Sequence, residues 1–133
     1  MTNGLGYENL LELVVQVLRD SLKEANEDKN YFLSKLQDLN KAAETVSDYL
    51  DQLVQKSMEL GEKERSKECP ESLTDLIKRV ERRQEEIRNT RQMAATAFQN
   101  FDQKSNQLFD LLASVIKTMN EMRAIGVSSR AGL

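Results

Sequence analysis

Chemistry in this chain would have to come from carboxylates, lysines and tyrosines, because its 133 residues include no histidine and no tryptophan. Asp and Glu recur three or four positions apart, a spacing that sets carboxylates on one helix face. In a helical bundle such faces can hold metal ions, but that design also takes a Glu-x-x-His segment, which cannot occur here. The single cysteine, Cys69, offers neither a zinc quartet nor an internal disulfide. No Gly-rich phosphate loop is present. The densest charge feature is KRVERRQEEIRNTR, Lys78 to Arg91, where Glu81, Glu85 and Glu86 interleave the bases and Arg82 with Glu86 forms an i,i+4 pair. It reads as a solvated helix face, or else as a docking face for an acidic surface. The expectation is a non-enzymatic protein with no catalytic residue, no metal, no cofactor and no small-molecule substrate.

The elements that carry these residues follow from punctuation. Four of the five glycines lie at the two ends (Gly4, Gly6, Gly126 and Gly132), and residues 7–60 and 73–125 contain neither glycine nor proline. Those two residue types mark turns, and strands rarely exceed about ten residues. Both long stretches must therefore be helices. Twenty-two acidic against 19 basic residues give a net charge of −3, which disfavours nucleic acid as a partner. No run approaches 18 apolar residues, so no membrane span is expected. The start, MTNGLGYENLLELVV, lacks the basic n-region of a Sec signal. Export without a cleaved signal and a cytoplasmic location both stay open.

From Leu11, steps of four and three give Leu11, Val15, Leu18, Leu22, Ala25, Lys29, Phe32, Leu36, Leu39, Ala43, Val46, Leu50, Leu53, Ser57 and Leu60. Only Lys29 and Ser57 are polar. From Leu73 the same steps give Leu73, Ile77, Val80, Gln84, Ile87, Arg91, Ala94, Phe98, Phe101, Ser105, Leu108, Leu112, Val115, Met119 and Met122, with Gln84, Arg91 and Ser105 polar. A heptad rhythm held this long implies left-handed supercoiling of paired helices. The expected fold is all-α: a long antiparallel two-helix coiled-coil hairpin, completed by oligomerisation or a partner.

One domain over 1–133 is expected, with helix 1 over about 7–60, a charged turn over 61–72, helix 2 over about 73–125 and a short tail over 126–133. Gly61 suits a C-cap, Pro70 a first helical turn, Ser72 with Asp75 a capping box, and Gly126 a stop. Cys69 would be exposed in the charged turn. Each helix would span about 80 Å at ~1.5 Å per residue, making a rod. A simple turn sets Leu60 against Leu73, Phe32 against Phe101, Leu36 against Phe98 and Leu11 against Met122. Lys29 then meets Ser105, a polar layer of the kind that fixes register. Arg91 faces Ala43, which leaves room for its stem to reach water.

LFDLLASVIKTMNEM, Leu108 to Met122, carries more apolar residues than one stripe needs. The surplus in helix 2 is Phe109, Leu111, Ile116 and Ile125; in helix 1 it is Leu10, Leu13, Val14 and Val17, then Tyr31, Leu33, Tyr49 and Val54. The antiparallel register puts the first and last groups side by side, and contiguous exposed apolar surface marks an interaction site. The plainer reading is that these residues widen the core of a larger bundle such as a dimer. A membrane-active hairpin would use Leu10–Leu18 and Leu108–Ile125, but Glu8, Glu12 and Asp20 make the polar side of helix 1 acidic, and anionic lipids attract basic faces.

ATAFQNFDQKSNQLFDLLASVIKTMNEMRAIG, residues 95–126, resembles the C-terminal helix of EspA-like type III secretion filament and tip proteins, and NEDKNYFLSKLQDLNKA, Asn26 to Ala42, has the same style. No diagnostic motif accompanies the resemblance. It differs in having about twelve residues between the helices, where that group has a large variable insertion. The resemblance implies secretion without a cleaved signal, polymerisation through the two helices, and a secretion chaperone that masks the C-terminal helix. A self-assembling filament or tip component is thus the expected function, with a closed coiled-coil adaptor or chaperone, dimeric or bound to one client, as the alternative. The partner is the chain itself in the first case.

Overall fold

The computed structural model describes the backbone of residues 2–63 and 69–131 and the side chains of 6–60 and 72–126. It is all-α, with α1 over Thr2–Lys63 and α2 over Cys69–Ala131, packed against each other as a two-helix hairpin. The heptad rhythm accounts for both elements. Threonine sits in their interiors without breaking the ladder: Thr45, Thr90, Thr96 and Thr118 donate their hydroxyls to the carbonyls of Lys41, Glu86, Gln92 and Ser114 one turn back.

The helix ends differ from expectation. α1 runs through Gly61 to Lys63, so Gly61 is no C-cap. α2 begins at Cys69 with Pro70 in its first turn, which leaves Ser72 inside the helix rather than capping it. It continues past Gly126 to Ala131 instead of stopping there. A single helical glycine costs only about 1 kcal/mol relative to alanine, too little to end a helix whose neighbours favour it. The expected exposure of Cys69 falls outside the described side chains.

The expected single domain divides into two compact units, one of Met1–Asn30 with Phe98–Leu133 and the other of Tyr31–Ala97. In the first, Val15, Leu18, Leu112 and Met119 form a buried cluster, with Leu11, Val14, Leu22, Leu108, Val115 and Ile116 packed against it. Ala25 is the most buried residue there at 1% exposure. Polar contacts fix the antiparallel sense, since Glu12 meets Arg123 while Asn26 meets Ser105 and Lys29 meets Asp102. In the second unit Leu53, Ile87 and Ala94 are buried, and Phe32, Leu36, Leu39, Leu50 and Val80 are half-buried. Leu60, counted on the seam, is 37% exposed.

No large side chain among the described residues falls below 2% exposure. Two helices make one layer, and each seam residue keeps an edge toward water.

Leu112→Ala should cost about 2–4 kcal/mol, because it empties the centre of the first unit's cluster; urea denaturation followed by circular dichroism reads the loss. Gly126→Ala should instead stabilise by up to ~1 kcal/mol, since an added Cβ there meets nothing within 4 Å. A rise in thermal midpoint checks it.

Candidate functional site

Among the described residues no group of three or more His, Cys, Asp or Glu side chains is placed to hold a metal ion, and no helix is long and apolar enough to cross a membrane. The basic segment of α2 is exposed over most of its length. Its ion pairs run i,i+3: Arg83 Nη1 to Glu86 Oε2 at 3.1 Å, and Arg88 Nη1 to Glu85 Oε2 at 3.2 Å. Glu86 therefore pairs with Arg83, not with Arg82 as its i,i+4 spacing suggested. Exposed pairs of this kind contribute little to stability.

Polar groups on the seam sort themselves by reach. Lys29 was expected opposite Ser105. Its ammonium instead meets Asp102 Oδ1 at 3.7 Å, toward the surface, where a long stem can keep a charge hydrated. Ser105, 6% exposed, donates its hydroxyl to Asn26 Oδ1 at 2.5 Å. In the second unit Arg91 does line one cavity with Ala43, about 420 Å³ in volume, along with Asn40, Glu44, Ser47, Gln84 and Arg88. Arg91 Nη1 donates to Asn40 Oδ1 at 3.5 Å.

The apolar surplus of the first unit lies on two flanks, not on one surface. With Leu11 and Leu18 at heptad position d and Val15 and Leu22 at a, Val14 falls at g, Leu10 and Val17 at c, and Leu13 at f. In α2, with Leu108 at d and Leu112 at a, Leu111 and Ile125 fall at g while Phe109 and Ile116 fall at e. An antiparallel pair sets g beside g and e beside e. The contacts agree: Glu12 and Arg123, both e, pair at 3.5 Å, and a cleft beside them is lined by Val15, Arg19, Ile116 and Met119. Ile116 thus sits on the Arg19 side of the seam, across from Val14. Both are half-buried against the core cluster.

The remaining members are open. Leu10, Leu13, Val17, Phe109, Leu111 and Ile125 are each more than half exposed. Beyond Phe109 and Ile116 runs a groove of about 630 Å³ along α2, lined also by Leu112, Ala113, Lys117, Asn120, Glu121 and Ala124. Counted as surplus alone, Phe109 and Ile116 are expected beside the Leu10 group, but position e sets them on the other flank. The letters were sufficient to separate them. In the second unit Tyr31 and Tyr49 are about half exposed; the Tyr31 ring meets Phe32 edge-on at 5.1 Å, with Lys35 Nζ 5.9 Å from its centroid.

A double-mutant cycle on Ser105→Ala and Asn26→Ala should return a coupling of about 1 kcal/mol by chemical denaturation, the net worth of a partly buried neutral hydrogen bond. Additivity of the two losses would show that the bond adds nothing.

Comparison of this chain with protein-family models, with curated proteins and with solved structures finds no match.

Proposed function

We propose that this chain is a non-enzymatic structural protein that assembles with further copies of itself through the unit built from residues 6–30 and 98–126. The supporting observation is that one two-helix unit carries open apolar side chains on both flanks of its seam, Leu10, Leu13 and Val17 on one and Phe109 on the other. A single apolar patch is satisfied by one two-fold contact, which closes a dimer. Two unlike patches on opposite sides favour head-to-tail contacts, which continue unless rotation closes them. The thinness of the layer points the same way, because neighbours supply the burial that two helices lack.

The resemblance of residues 95–126 to EspA-like filament and tip proteins extends the proposal to a secretion-associated assembly, kept from premature growth by a chaperone on α2. A helix laid in the groove beside Phe109 is how such a chaperone would act.

Sedimentation of the full chain over a hundredfold range of concentration, with reductant present to keep Cys69 reduced, tests the central claim. Mass should climb continuously with concentration. A plateau at dimer or tetramer would establish a closed bundle and favour the adaptor reading; a monomer throughout would overturn assembly altogether.

A further inference from the structure

Charge distinguishes the two flanks as clearly as position does. Beyond Val17 the first flank continues along α1 through Asp20, Glu24 and Asp28, and α2 adds only Lys104 on that side. On the second flank Arg123 is paired with Glu12 and Lys29 with Asp102. With those pairs set aside, Arg19, Lys23 and Lys117 stand against Asp110 and Glu121, which leaves this flank net basic. One flank is thus apolar with an acidic border, the other apolar with a basic border, and both belong to the same unit.

Resting on the self-assembly proposed above, we infer that the occupant of the Phe109–Ile116 groove is a second copy of this chain, docked by its Leu10–Leu13–Val17 flank. Flank against like flank would bring acidic border to acidic border, or basic to basic, and like charges facing across an interface oppose association. The unlike pairing joins Asp20 and Glu24 to Lys23 and Lys117 around an apolar centre. It also leaves the pair with one free flank of each kind, so the contact repeats. Because the borders are exposed, their attraction is screened over roughly 8–10 Å in physiological salt. They select the partner face, and apolar burial supplies most of the hold.

Two blocked variants test the pairing. L13E/V17E closes the acidic flank and leaves the groove intact; F109E closes the groove and leaves the flank intact. All three positions are more than half exposed, so helicity should be retained, and the milder L13Q/V17Q with F109Q serve if circular dichroism shows otherwise. A glutamate buried unpaired against apolar groups is strongly disfavoured. Each variant alone should therefore sediment as a monomer. Mixed one to one, they should form a complex of twice the monomer mass that grows no further, the open flank of one seated in the open groove of the other. An F109E that dimerises alone, an L13E/V17E that dimerises alone, or a mixture that stays monomeric while the unmodified chain assembles would each overturn the unlike pairing and leave self-assembly standing. An unmodified chain that is monomeric at every concentration would remove both.

Discussion

A pair of helices has one seam, and everything else about this molecule answers to that limit. A seam residue in a two-helix layer meets the opposite helix on one side and has water within reach on the others. The core is accordingly made of edges: Val15, Leu18, Leu112 and Met119 in one unit, Leu53, Ile87 and Ala94 in the other, none of the large ones wholly sealed. Small residues do what large ones cannot. Ala25 and Ala94 are more deeply buried than any leucine, because a methyl group on the seam lets two backbones come close. Apolar burial drives folding in proportion to area removed from water, so a layer this thin gains from every neighbour it acquires. The open leucines and Phe109 beside the seam are where that gain is available.

The same thinness explains how polar groups are tolerated on the seam. Buried polar atoms need partners, and among the described residues none is left without one. Lys29 and Arg91 reach the edge on long stems, which is simple when the edge is one side chain away. Ser105 has no such reach and is served by Asn26 across the seam. That hydrogen bond discriminates between registers in a way leucines cannot. Sliding the heptads by seven would keep most apolar layers but set Ser105 at the level of Leu22 or Leu36. Its contribution is to identity more than to stability.

Much of this architecture was legible in the residues alone. Freedom from glycine and proline over 7–60 and 73–125, with two heptad series of the same phase, admits little besides a pair of long helices. The seam series came from the same periodicity, and its apolar members from Leu18 to Met119 are buried or half-buried except Leu60. The helix ends were less legible, because Gly61 and Gly126 carry the usual stop signal and the helix continues through both. Capping preferences amount to about 1 kcal/mol, and a long flanking helix overrides them. Pairings such as Asn26 with Ser105 depend on how far each side chain reaches and which way it leans, which a count of positions does not contain. The division of the apolar surplus into two flanks was within reach of the sequence, since it needs only the letters e and g.

The antiparallel arrangement also orders events in time. Arg91 and Asn40 in the second unit are 51 residues apart along the chain, whereas Ser105 and Asn26 in the first are 79 apart. Closing a longer loop costs more entropy, though the increase is gradual, and contacts of high sequence separation form late. Pairing that starts near the turn can shorten the remaining loop residue by residue. Leu10 to Val17 and Ile116 to Ile125, which lie toward the ends of the two helices, are drawn in after those nearer the turn. During synthesis the first of these stretches is made more than ninety residues before the second, and until its partner emerges it presents even its seam leucines to other chains. The stretch with the greatest appetite for neighbours is also the one that waits longest for its own.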